Sequence, residues 1–193
     1  MAARARGHAT YEDLVRAPEN MVAELVDGEL YTWPRPSKGH VRVASRLGAI
    51  LTNAFDFGNG GPGGWWILDE PELHLGTNVM VPDLAGWRRE RMPEVVGDDH
   101  RFTIVPDWVC EILSPSTTQF DLRKKLPIYA DHGVPYAWVI YLASCTQQVF
   151  TLKGEHWLLA NVYGGEDKVR AVPFDAVEID LASIWGPDSP PAP

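Results

Sequence analysis

Apolar and polar positions first alternate along this chain, then recur every three to four residues, then alternate again, and these changes of period mark its elements. Thr10 and Asp13 form a capping-box-like start to a short helix over about 10–18, stopped near Pro18. AELVDGELYTW alternates on both sides of Asp27-Gly28, a pair suited to a two-residue type I′ turn, so a hairpin is expected, ending at Pro34 and Pro36. Val43, Leu47, Ile50, Leu51 and Phe55 then recur at helical spacing, predicting a helix over 40–55 that stops at Gly58. GNGGPGG follows as a loop; no Gly-Lys-Ser/Thr comes after it, so it is punctuation rather than a phosphate cradle. Strands are expected at 65–75, 79–87 and 105–113, a helix over 118–132 with Gly133 at its C′ position, and a strand at 136–142. Strand, helix and strand over 105–142 form a βαβ unit, which implies a parallel pair buried under helices. QQVFTL and HWLLANVY around Lys153-Gly154 predict a C-terminal hairpin, and VEIDLASIW a last apolar segment. The class is α/β (α+β): one domain over 10–185, a flexible N-terminus over 1–9 and a disordered Pro-rich tail over 186–193.

Composition narrows this further. The chain has 193 residues, 45% hydrophobic, with eight Trp and two Cys. That is enough to bury a core and too apolar for a disordered chain. Cys110 and Cys145 fit a reducing cytosol, and neither a signal-peptide stretch nor a membrane-length apolar run is present, so a cytoplasmic protein is expected. The net charge of −9 argues at first sight against a nucleic-acid partner. The charge is uneven, however: residues 30–130 hold 11 Lys and Arg against 12 Asp and Glu, with bases clustered at Arg35–Arg46, Arg88–Arg91 and Arg123–Lys125. Any one such cluster is most simply a solvated face. Arg42, Arg88, Arg123 and Lys124 are the candidates from them for nucleic-acid contact, in binding expected to be modest and salt-sensitive.

Two acids interrupt apolar runs. Asp83 lies in VMVPDLAGW and Glu111 in DWVCEILS, both apolar on two faces like central strands. An unpaired carboxylate there costs several kcal/mol, so each needs a metal, a cation or a raised pKa. A structural ion pair would explain either alone; two on neighbouring strands, with no base inside either, favour a metal site. On the 118–132 helix, with Leu122, Leu126 and Tyr129 as the buried stripe, Lys125 borders the sheet-facing surface and Lys124 faces solvent. Asp121 reads equally well as an N-terminal cap or a functional acid, and Pro127 should kink the helix. Two carboxylates and a lysine suit metal-assisted hydrolysis, with oxygen ligands favouring Mg2+ or Mn2+.

AELVDGEL, His40 after a Pro-rich turn, VPDLAGW, PDWVCEILSPST and the D-x-x-x-K-L-x-x-Y-x-x-x-G-V string from Asp121 to Val134 together resemble the Uma-type restriction endonuclease family of the PD-(D/E)XK nuclease superfamily. The resemblance spans roughly residues 10–185 and implies a restriction-endonuclease-like mixed sheet flanked by helices. It implies that Asp83 is the Asp of the PD motif and Glu111 the acid of the next strand. The lysine usual two positions after that acid is replaced by Leu113, its role passing to Lys125. It also places Glu24 on an acidic hairpin position, otherwise a surface charge, and marks His40, otherwise a helix-start cap. Tyr136 and Tyr141 stand where the family commonly has acids.

The expected function is therefore a Mg2+- or Mn2+-dependent endonuclease that hydrolyses DNA phosphodiesters with a metal-activated water. Asp83, Glu111 and the Ile112 main-chain carbonyl would hold the ion, Lys125 would orient or deprotonate the attacking water or stabilise the pentacoordinate transition state, and a homodimer would cut two strands. The rival is a non-catalytic DNA- or protein-binding module on the same fold. There is no G-x-S-x-G, His-Glu-x-x-His or CxxC, which leaves serine, thiol and zinc chemistry without a basis, and nothing implies a membrane partner.

Overall fold

The computed structural model describes residues 8–186. The expectations for residues 1–7 and for the tail after 186 lie outside the described residues. Helix α1 (Tyr11–Val15) opens on a reciprocal capping box between Thr10 and Asp13. Strands β1 (Met21–Val26) and β2 (Glu29–Pro34) pair antiparallel with Val26 opposite Glu29. Asp27 and Gly28 close them with φ of 53° and 72°, the left-handed pair that a type I′ turn requires.

Helix α2 (Lys38–Leu51) follows, with the Ser37 hydroxyl accepting from the His40 amide, and continues as a π-helical turn over Thr52–Asp56. Next come β3 (Trp65–Asp69), β4 (Glu72–Leu75), β5 (Asn78–Met80), β6 (Leu84–Arg88), β7 (Arg101–Phe102) and β8 (Trp108–Leu113). Helix α3 covers 118–131 in three consecutive segments: Thr118–Phe120, a π-helical Asp121–Lys125, and Leu126–Asp131. After it run β9 (Tyr136–Tyr141), β10 (Thr146–Lys153), β11 (His156–Gly164) and a small pair, β12 (Lys168–Val169) with β13 (Ile179–Asp180).

The strands form two main sheets, ordered β2-β1-β5-β4-β7 and β11-β10-β9-β8-β6-β3. In the larger one β8 and β9 are parallel, as the βαβ unit predicts, and the other pairings are antiparallel. The stretches expected as single strands at 65–75 and 79–87 each divide in two. At Glu70-Pro71 and again at Val81-Pro82 the chain passes between the sheets. Proline has no amide to continue a ladder, while the apolar run continues because both sheets are buried. The Glu70 amide donates to the Asp83 carbonyl at 3.2 Å, joining the two crossings.

The larger sheet is covered on both faces. Trp108, Cys110 and Ile112 of β8 pack with Val43, Leu47 and Leu51 of α2 and with Phe174 and Trp185. Trp108 and Trp138 meet edge-on at 5.2 Å, with Phe174 against both. Val109 and Leu113 face the other way, into a cluster with Leu126 and Tyr129 of α3 and Val26, Leu73 and Met80 of the smaller sheet. Strand periodicity puts Glu111 on that second face. A carboxylate is thus carried into the space between β8, α3 and the hairpin.

Candidate active site

Asp83 occupies the turn back into the larger sheet, one residue before β6. Its Oδ2 accepts a 2.6 Å hydrogen bond from the Ile112 amide, and its Oδ1 lies 3.1 Å from His40 Nε2. β6 and β8 pair only from Leu84↔Cys110 onward, so the Asp83 side chain supplies the contact that the ladder lacks at its end. Glu111 stands beside it at 2% exposure. One Glu111 oxygen accepts from Tyr129 Oη at 2.7 Å, and Lys125 Nζ lies 2.9 Å and 3.1 Å from its two oxygens.

Lys125 is itself 2% exposed, deeper than the sheet-border position expected of it, and Leu122 of the supposed stripe is only half-buried. The π-helical turn explains the difference. The Leu126 amide reaches back five residues to the Asp121 carbonyl, adding a residue to the turn and rotating Lys125 inward. Pro127 lies in the first turn of the segment that follows, so its missing amide falls beside this change of register. Lys125 Nζ donates to the Val81 carbonyl at 2.9 Å and lies 3.0 Å from Glu24 Oε1 and 3.9 Å from Asp121 Oδ1.

Glu24, 3% exposed, is not a surface hairpin charge. Its Oε1 accepts from the Val81 amide at 2.9 Å and its Oε2 from Trp33 Nε1 at 3.1 Å. Asp121, 5% exposed, is not the helix cap, which falls at Thr117. It joins the same cluster, as does Tyr129; both are fixed positions of the D-x-x-x-K-L-x-x-Y string, but apart from that string an aspartate near a helix start reads equally well as a cap and a tyrosine in an apolar stripe as core. His40 combines its helix-start position, its amide bound to Ser37, with a side-chain contact to Asp83.

These groups line one cavity of about 350 Å3, shared by Glu24, His40, Asp83, Glu111, Asp121 and Lys125. Arg35 and Glu70 also border it, as do Trp33 and the Ser114–Thr117 turn. Arg42, Arg88, Arg123 and Lys124 do not. Arg88 lies over the Trp65 ring at 4.6 Å, and Lys124 pairs with Asp27 at 2.6 Å. Tyr136 packs against the α2 side of the core, and the Tyr141 hydroxyl reaches Gln148 at 3.4 Å; neither lines the cavity.

Acids outnumber bases here, and burial and neighbouring charge together shift their pKa values. Burial holds the Glu111 carboxyl well above the usual range; Lys125 opposes this, and the charges of Asp121, Asp83 and Glu24 add to it. Burial likewise lifts Asp121 to about 6 against the pull of Lys125. Burial alone would lower the Lys125 ammonium, but Glu111, Glu24 and Asp121 outweigh it and hold the ammonium protonated. Burial pulls His40 down less than its bonds to Asp83 and the Ile112 backbone raise it. The cluster therefore holds more carboxyl groups than its one lysine can pair, and Glu111 and Asp121 keep their protons more readily than exposed acids do. Its donors are carboxylate and carbonyl oxygens, the set that suits a hard divalent cation. Among the described residues no three His, Cys, Asp or Glu side chains are grouped as a ready-made metal site. Any such ion would draw on Asp83, Glu111 and main-chain oxygen.

Two packed sheets with a buried acid–lysine cluster at their junction define a mixed α+β protein of the restriction-endonuclease-like class. The chain belongs to the Uma2 family, described as "Putative restriction endonuclease", whose model matches residues 9–182. It is 24% identical over 156 residues to an uncharacterized protein of Synechocystis sp., covering 76% of this chain and 75% of that one. Its fold is shared, at a TM-score of 0.72 and 22% identity, with a crystal structure from Anabaena variabilis described as "a putative nuclease belonging to DUF820", over 91% of this chain and 96% of the other.

Proposed function

We propose that this chain is a divalent-metal-dependent endonuclease that hydrolyses phosphodiester bonds in DNA. The observation that carries the reading is the convergence of three carboxylates, Glu24, Glu111 and Asp121, on one buried lysine in a cavity that Asp83 also lines, so that acids outnumber the lysine. Asp83, Glu111 and the Ile112 carbonyl would hold Mg2+ or Mn2+. When bound, such an ion lowers the pKa of a coordinated water and offsets charge on a phosphoryl oxygen.

The remaining groups act through position. The Ile112 amide and His40 Nε2 fix both oxygens of Asp83, so its carboxylate cannot swing away from Glu111. Tyr129 and Lys125 fix Glu111 in the same manner. Glu24 and Asp121 keep the Lys125 ammonium charged and aimed at the acids, where it can stabilise charge developing on a transferring phosphoryl group. The family description supports the reaction class. A homodimer would place two such sites on one substrate, and a cytoplasmic setting fits the two free, buried cysteines. Among the described residues no helix is long and apolar enough to cross a membrane. Conversion of supercoiled or single-stranded circular DNA to nicked and linear forms under Mg2+, and its suppression by EDTA, tests the reading.

A further inference from the structure

The acids of the cluster lie at the floor of a cavity. Glu111, Glu24 and Asp121 are each no more than 5% exposed, and only Asp83, at 18% for its side chain, approaches the surface. A phosphate in the middle of a duplex is flanked by neighbours on its own strand and backed by its partner strand, so it meets shallow sites more easily than deep ones. A volume of about 350 Å3 falls at the lower end of pockets that enclose small ligands, roughly 300–1,000 Å3.

Charge points the same way. The cations of the lining are Arg35 and Lys125, against Glu24, Glu70, Asp83, Glu111 and Asp121. Four bases outside the cavity that could have gripped a duplex pair with acids instead. Lys124 pairs with Asp27, Arg91 with Asp107 at 2.7 Å, Arg101 with Asp99 at 2.8 Å, and Arg89 with Asp56. A duplex carries a charge about every 1.7 Å of axis, and a single strand only about every 3.4 Å, so an acid-lined site repels an unpaired strand less. The wall offers a surface for a base instead. Trp33 is half-buried, held by its bond to Glu24 and by Phe120 at 5.1 Å, and stands beside Pro34 and Pro36, while Ser114, Ser116 and Thr117 bring hydroxyls to the cavity.

We propose that the substrate strand is unpaired DNA, with the nucleotide next to the scissile phosphate turned into the cavity against Trp33. The chemistry rests on the nuclease reading above; the binding preference does not.

Fluorescence anisotropy of the intact protein in EDTA, with a short labelled oligonucleotide offered single-stranded and as its duplex, measures that preference without cleavage. The single strand should bind at least about tenfold more tightly, and Trp33→Ala should weaken it roughly tenfold while Trp33→Phe, which keeps a ring, retains most of the affinity. Equal or tighter duplex binding by the wild type overturns the proposal, and so does a folded Trp33→Ala protein with unchanged single-strand affinity. The two readings fail separately. If duplex plasmid is cut under Mg2+ as fast as a single-stranded circle, the unpaired-strand preference falls and the nuclease stands. If neither is cut but the Trp33-dependent preference persists, the nuclease falls and the preference stands.

Discussion

The Ile112 amide donates to Asp83 Oδ2 at 2.6 Å, tying a residue of the crossing between sheets to the strand that carries Glu111. This bond sets the two acids side by side, and it separates structural from chemical roles in substitutions. Asp83→Asn keeps an acceptor for the amide and should unfold within about 1 kcal/mol of wild type. Asp83→Ala strands a buried donor and should lose a further ~1–3 kcal/mol. Both should lose Mn2+ binding. Urea unfolding and calorimetry read the two effects, and equal stability of the Ala and Asn proteins would show that the bond does not hold the crossing.

Lys125 and Glu111 form a buried pair, 2.9 Å apart at the closest. Lys125→Met leaves several carboxylates facing one another and should cost about 3–5 kcal/mol. Adding Glu111→Gln removes one of those charges, so the double variant should be more stable than the sum of the two single losses predicts. A double-mutant cycle by chemical denaturation gives the coupling, and strict additivity would mean that the pair does not interact.

The titration of Asp121 makes a prediction about pH. Its carboxyl stands at about 6 in the folded chain against 3.8 for an unperturbed aspartate, so the folded state binds its proton more tightly than the unfolded state does. The contribution to stability is complete below about pH 4 and is lost as pH rises through 6, on the order of 3 kcal/mol in all. Asp121→Asn should therefore gain stability relative to wild type across that window in metal-free buffer. Melting curves of both proteins at several pH values check this, and a difference that does not change with pH would remove Asp121 from the charged cluster.

Asp83 and Glu111 are legible in the sequence because each interrupts an apolar run where a charge has no other reason to be. Lys125 is legible as a base on the right helix, but its depth is not. A regular 100° wheel puts it at the border of the sheet, and the π-helical turn, which that wheel does not anticipate, carries it inside. The hairpin at Asp27-Gly28 and the parallel β8–β9 pair follow from turn chemistry and chain order. The division into two sheets does not, since the apolar pattern is unbroken on either side of Glu70-Pro71 and Val81-Pro82. The partners of the clustered bases are not legible for a related reason: Lys124 pairs far away in sequence with Asp27, and Arg91 with Asp107, 16 residues on.

Cleavage of circular DNA, single-stranded and duplex, by the purified protein under Mg2+ or Mn2+ and beside its Asp83→Ala and Glu111→Ala variants tests the central claim most directly. Wild type should nick and linearise at least one form, EDTA should stop it, and both variants should fall by two orders of magnitude or more. A folded, metal-supplemented wild type that cuts neither form, or an Asp83→Ala protein that cuts as fast as wild type, would contradict the account.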